Sequence, residues 1–221
     1  PLYDPCCGSG TVLIEAAQIA CCIAPGMRRR FAFEKLLPFQ SHVWDAIKDE
    51  AKGVQQTSAV AIFGSDVSHR MVDFSERNAE RAGVAGAVQL RGGDALQRMP
   101  PSDVPGVMLL NPPYGERIEV AGVAGVAARE QAVTEDGGEF FSQLATHWKK
   151  NYSGWTGWIL TPDLKLPGKM RLKESRRVPM WNGPIECRLF RFDMVKGAAR
   201  APRAGAGDGG CAATAADRGH A

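Results

Sequence analysis

Nowhere in this sequence do apolar residues run uninterrupted for the ~18–20 positions that a membrane-crossing helix requires, so a helical span is excluded. The first apolar stretch has neither a basic lead-in nor a small-residue cleavage site, so no secretory signal is read there. Histidine is scarce, with four in 221 residues. The six cysteines, at 6, 7, 21, 22, 187 and 211, form two adjacent pairs but no Cys-x-x-Cys. That pattern argues against zinc, and no metal is expected. Adjacent cysteines are poor disulfide partners, so small buried thiols in a reducing cytoplasm are the expected state. The turn Gly8-Ser9-Gly10 is not Gly-x-Gly-x-x-Gly, because only Gly8 and Gly10 are spaced correctly, and no Gly-Lys-Ser/Thr follows it, which disfavours a phosphate cradle there. No Ser-His-Asp or Cys-His constellation competes for a catalytic role.

What is present is ordinary globular material, 44% hydrophobic and 23% charged, enough for one domain or one with a small appendage. The first residue is Pro rather than Met, which reads as a piece of a longer polypeptide. The net charge of +3 conceals an asymmetry. Residues 1–148 carry 13 Lys/Arg against 18 Asp/Glu, whereas residues 149–196 carry 11 against 4. A basic C-terminal third beside an acidic body suits contact with a polyanion on one side, although a solvated surface gives the same count.

Residues 1–196 alternate short apolar runs with 10–15-residue amphipathic ones, and residues 197–221 are an Ala/Gly-rich segment expected to be a disordered tail or linker. Strands are predicted at 1–3, 59–63, 88–90, 106–110 and 157–160, and helices at 11–23, 40–52, 69–82 and 139–150. Residues 118–137 are expected to be a mobile loop. Asn182-Gly183 between two alternating runs, 176–181 and 185–193, is a strong hairpin signal. The fold class is therefore α/β: a doubly wound, mostly parallel sheet of about seven strands with a C-terminal antiparallel hairpin at one edge. Ligands of such sheets bind beyond the carboxyl ends of the strands. There, four polar turns converge, at 4–10, 64–66, 92–94 and 111–114.

In the first turn, Asp4 precedes Cys6, Gly8, Ser9, Gly10 and Thr11, and glycines let a ligand approach main-chain N–H groups. An acid ahead of the glycines suits a cationic or amino-acid-bearing ligand. Asp66, followed by Val67, is placed to accept from ribose hydroxyls, and Asp94, followed by Ala95, from an adenine amine. A nucleoside with a cationic amino-acid tail satisfies all three, and S-adenosylmethionine is that molecule. The most specific feature is Asn111-Pro112-Pro113-Tyr114. Two prolines fix φ and remove two donors, leaving carbonyls free to accept. The Asn111 side-chain oxygen and the Pro112 carbonyl can together take both hydrogens of an exocyclic amine, aiming its lone pair at a methyl sulfonium. Tyr114 offers a face for a base removed from its stack.

These segments, with Ala24-Pro25-Gly26, the arginines after it, Phe31-Ala32-Phe33-Glu34, Gly115-Glu116-Arg117 and Trp181-Asn182-Gly183-Pro184-Ile185-Glu186-Cys187-Arg188-Leu189, resemble the class I, Rossmann-like S-adenosylmethionine-dependent methyltransferase domain of bacterial 23S rRNA guanine-N2 methyltransferases. The resemblance covers about residues 1–196 and implies a guanine of 23S rRNA, or of its large-subunit precursor, as substrate. In that family an RNA-binding THUMP module precedes this domain. Arg28, Arg29 and Arg30, Arg117, and the cluster Lys165, Lys169, Arg171, Lys173, Arg176 and Arg177 are candidate phosphate contacts beside the rim. Tryptophans 44, 148, 155, 158 and 181 are expected to pack in the core or hairpin rather than to stack on bases. Rival readings keep the same tetrapeptide on DNA adenine or a protein glutamine amide, or leave a non-catalytic RNA-binding domain with a vestigial pocket. Oligomeric state is not legible.

Overall fold

The computed structural model describes residues 1–112 and 137–195, and the expected loop and tail lie outside them except for Gly137. Seven strands form one sheet: β1 (Leu2–Asp4), β2 (Ile62–Asp66), β3 (Val88–Gly92), β4 (Val107–Leu110), β5 (Thr156–Thr161), β6 (Arg176–Asn182) and β7 (Ile185–Asp193). Their spatial order is β3-β2-β1-β4-β5-β7-β6. The β3-β2-β1-β4-β5 pairings are parallel, and β7 runs antiparallel to both β5 and β6. The reversed strand is therefore inserted beside β5, and the edge strand β6 runs with the parallel set. The antiparallel hairpin expected at one edge of the sheet is there, as β7 and β6.

Helices lie on both faces. On one, α1 (Thr11–Ala20) and α3 (His69–Ala82) bury Leu13 and Ala17, and Val72, Ser75 and Ala79, at the 3–4 spacing of a helical stripe. They pack with Ile62 and Val84. On the other, α4 (Gly137–Asn151) brings Leu144, Ala145 and Trp148 against Met108, Leu110, Ile159, Phe190 and Phe192. Gly157 is glycine because a Cβ there would lie 2.5 Å from the Trp148 ring. A five-residue α5 (Leu166–Met170), hidden in the sequence by Pro167-Gly168, is held by burying its two ends, Leu166 and Met170, in that core.

Between α1 and β2 the chain makes an excursion whose neck is closed by the Gln56 N–H donating to the Cys21 carbonyl at 2.9 Å. It carries α2 (Ser41–Gly53), which has no buried residue, and a cluster of Phe31, Phe33, Phe39 and Trp44. The neck sits at the end of α1 and the start of β2, the edge of the sheet opposite the carboxyl ends of the strands.

Candidate active site

β1 is flanked by β2 on one side and β4 on the other, so the chain order reverses at β1/β4, where a doubly wound sheet opens a crevice. Asp4 ends β1 and is 2% exposed. Its Oδ1 accepts from the Cys6 N–H at 3.0 Å. Burial lifts the Asp4 pKa to about 7, the Cys6 N–H opposes the rise, and the Asp66 charge adds to it. The turn then closes with the Gly10 N–H on the Cys7 carbonyl at 2.8 Å and the Cys7 N–H on the Ser65 carbonyl at 2.9 Å.

Its two glycines serve different ends. Gly8 has φ +52°, and a Cβ there would meet nothing within 4 Å, so its face opens outward. Gly10, at φ +85°, would place a Cβ 2.2 Å from Ser75 Oγ, so its bareness lets α1 and α3 approach. Ser9 lends its carbonyl to the Asn78 amide at 2.9 Å. Thr11 is the exposed first residue of α1. The Cys6 thiol is pushed well above the ordinary thiol range, by burial first and then by the Asp4 and Asp66 charges. Burial, followed by the Asp4 charge, pushes Cys7 up to about 12. Neither is a thiolate at neutral pH, so neither is a nucleophile.

Asp66 links two of the turns. Its Oδ2 accepts from the Gly8 N–H and its Oδ1 from the Ser68 N–H, both at 2.9 Å, while its carbonyl takes the Gly93 N–H at 2.9 Å. A carboxylate has about four lone-pair positions, so about two remain for a ligand. Asp94, just past β3, accepts from the Leu96 N–H at 2.8 Å. Val67 is exposed and Ala95 buried beside these acids. Asp4, Asp66 and Asp94 thus stand at the ends of three adjacent strands. On the other side of β1, β4 runs into exposed Asn111 and buried Pro112. Tyr3 is level with Met108, so the first turn and Asn111 rise from neighbouring strands about 5 Å apart. Pro113, Tyr114 and Arg117 lie outside the described residues.

The basic candidates divide. The Arg28 guanidinium donates to the Arg81 carbonyl at 3.4 Å and covers Gly83, where it meets the exposed carbonyls ending α3. Arg29 stacks over Phe31 at 4.8 Å. Arg28 therefore lies about 20 Å, one length of α3, from the rim, contrary to the rim placement expected for the 28–30 run. Arg30 is exposed on the same run. Lys165 is exposed just after β5, and Lys169 pairs with Asp163 at 2.9 Å. The Arg171 carbonyl accepts from Lys149 in the last turn of α4, which draws Arg171 and exposed Lys173 toward the far edge. Among the described residues no group of three or more His, Cys, Asp or Glu could hold a metal.

Sequence reasoning missed the struts under the site. The Tyr3 hydroxyl and Ser65 Oγ are 2.7 Å apart, tying β1 to β2 beneath the turn. The Arg98 carbonyl, four residues after Asp94, meets both His147 Nε2 at 2.7 Å and the Tyr152 hydroxyl at 2.9 Å. No local motif announces contacts made across 49 and 54 residues.

Sheet order, the single reversed strand and the acid-glycine rim define a methyltransferase domain of the S-adenosylmethionine-dependent class. More narrowly, the chain belongs to UPF0020, the RMKL-like methyltransferase domain, whose family model matches residues 1–191. Ribosomal RNA large subunit methyltransferase K/L of Shewanella baltica is 39% identical over 192 residues, 84% of this chain. The chain spans only 25% of that relative's length. Among solved structures, SMU.472 complexed with SAH superposes with a TM-score of 0.75 at 28% identity, over 87% of this chain and 48% of that one. A Listeria monocytogenes protein described as a predicted N6-adenine-specific DNA methylase gives 0.72 at 27% identity, over 87% and 46%.

Proposed function

We propose that this domain transfers a methyl group from S-adenosylmethionine to the exocyclic N2 amine of a guanine in 23S rRNA or its large-subunit precursor, in the cytoplasm. The observation that carries the reading is the placement of the acid-glycine turn and Asn111-Pro112 on adjacent strands of one crevice. The ribosomal substrate rests on the Shewanella relative's name together with the basic C-terminal third. Residues 1–196 form the catalytic domain in this reading, and 197–221 a tail outside it.

The site fits the cofactor physically. A carboxyl driven toward neutrality by burial is relieved by a cation, and Gly8, where a Cβ would meet nothing within 4 Å, leaves room for a ligand beside the turn. When bound, S-adenosylmethionine supplies an electrophilic methyl on a positively charged sulfur. Asp4, Cys6, Gly8, Ser9, Gly10 and Thr11 surround the amino-acid part. Asp66 and Val67 serve the ribose, and Asp94 and Ala95 the adenine. Asn111 Oδ1 and the Pro112 carbonyl accept the two amine hydrogens, with Pro113 stiffening the corner and Tyr114 supporting the base. Holding both hydrogens orients the nitrogen lone pair along the line of attack and stabilises the positive charge it gains. As the N–C bond forms and the S–C bond breaks, one amine proton leaves to water. No side-chain nucleophile is needed.

Asn111→Ala is expected to keep cofactor affinity within about twofold while methylation falls by about 100-fold or more, the scale of removing one transition-state acceptor. Undiminished turnover would remove the assignment. The description of the Listeria structure favours DNA adenine as the second reading. Tritiated methyl transfer to deproteinised rRNA, plasmid DNA and release factors, run side by side, separates the substrate classes.

A further inference from the structure

The hairpin of β6 and β7 outruns the sheet on the side of the candidate site. The last pair that β5 makes with β7 is Thr161 with Arg188, yet β6 and β7 continue through Met180–Cys187, Trp181–Glu186 and Asn182–Ile185. Three further pairs carry the tip about 10 Å beyond the end of β5. Gly183, at φ +60°, makes the tight turn. On this overhang Trp181 is 68% exposed and Met180 40%.

Trp181 differs from the other tryptophans. Trp148 and Trp155 are buried, while Trp44 and Trp158 carry Lys48 and Arg191 over their rings at 5.9 and 5.8 Å. Core packing therefore explains little of Trp181. On its face of the hairpin lie Arg177 and Arg188, paired at 2.7 Å with Glu174 and Glu186, and Glu186 is the cross-strand partner of Trp181. Charge beside the ring is therefore balanced, and its place beyond the carboxyl ends of the strands, on the side of Asn111 and exposed Lys165, suits an unpaired base of the proposed substrate.

Resting on the reading of an RNA substrate, we propose that the hairpin tip is a single-stranded RNA contact in which the Trp181 ring stacks on a nucleotide flanking the target base. Three inter-strand steps separate β6 from β4, about 14 Å, so the stacked nucleotide is a neighbour of the guanine held at Asn111 and not that guanine itself. A duplex would not serve, because its bases are already stacked.

The test measures binding of the full chain to a fluorescein-labelled, mixed-sequence single-stranded RNA and to deproteinised large-subunit rRNA. Calorimetry with S-adenosylhomocysteine serves as the fold control. Trp181→Ala is expected to weaken RNA binding about 5- to 140-fold, the loss that one stacked base represents, and to raise KM for rRNA without lowering kcat. Trp181→Phe keeps most of the affinity, whereas Trp181→Leu, apolar but without a π face, loses it as Ala does. Cofactor-product affinity stays the same in all three. RNA binding unchanged in Trp181→Ala overturns the proposal. So does a Leu variant equal to wild type, which identifies an apolar protein contact instead. Failure of the wild-type chain to bind or methylate any RNA, with S-adenosylhomocysteine still bound, overturns the RNA substrate as well.

Discussion

A carboxyl buried as deeply as Asp4 costs free energy in its ionised form unless a cation meets it. Its pKa of about 7 in the fold stands above the ordinary 3.8, so the folded state holds a proton that the unfolded chain releases between those values. Stability from this group is fully present below about pH 4 and is lost as pH rises through 7. At about 1.4 kcal/mol per unit, the loss is on the order of a few kcal/mol. Asp4→Asn keeps an acceptor for the Cys6 N–H without the charge. Urea unfolding at pH 5 and pH 8 should show the variant losing less stability than wild type across that range. Cofactor affinity should fall about 10- to 100-fold in Asp4→Asn, because a charge-assisted contact to the amino-acid part is gone. Equal affinities by calorimetry would remove Asp4 from the site. The acid and the glycines were legible as residue types, but not that Gly8 faces outward while Gly10 faces Ser75.

At the scale of elements, helices were easier to read than strands. The 3–4 spacing and Gly83 fixed α3 at 69–82 without error. β2 was expected at 59–63 and forms at Ile62–Asp66, because Gly64-Ser65-Asp66 has turn composition yet Gly64 lies under Leu13 and Leu90, where no side chain fits. α4 does more than cover the sheet. His147 on α4, with Tyr152 just past its end, holds the Arg98 carbonyl, and with it the loop bearing Asp94. His147→Ala and Tyr152→Phe should each cost about 0.5–1.5 kcal/mol. The double variant should cost more than their sum, since either partner alone keeps that carbonyl satisfied and losing both adds a desolvation penalty of about 1–3 kcal/mol. Strictly additive denaturation energies would show that the two bonds do not share the work.

For the whole molecule, the proposed donor and acceptor residues occupy opposite sides of one sheet switch point and draw on separate strands. Cofactor binding should therefore stabilise the fold independently of the amine-holding corner. S-adenosylhomocysteine at about 100 times its Kd contributes about 2.7 kcal/mol, a rise in Tm of roughly 5–10 °C for a domain this size. Asn111→Ala should show the full shift and Asp4→Asn, at the same ligand concentration, a much smaller one. A shift abolished in Asn111→Ala would mean that the two pockets are one cooperative unit. The same view separates the basic runs. Arg28 serves α3 at the far edge, while the overhanging hairpin and Lys165 stand on the side of the candidate site.

Taken alone, the order of residues determined the alternation of strand and helix, the acidic residues near strand ends and the chemistry that each can offer. Those follow from local periodicity and from the conformational limits of Gly, Pro and Asp, which act over a few residues. Only the folded sheet decided that β1 lies between β2 and β4, that β7 enters beside β5 and that Arg28 faces away from the crevice. It also decided that Trp181 stands in solvent while Trp148 is enclosed. Each of those depends on which surfaces are buried together, and burial is a property of contacts between segments far apart in the chain.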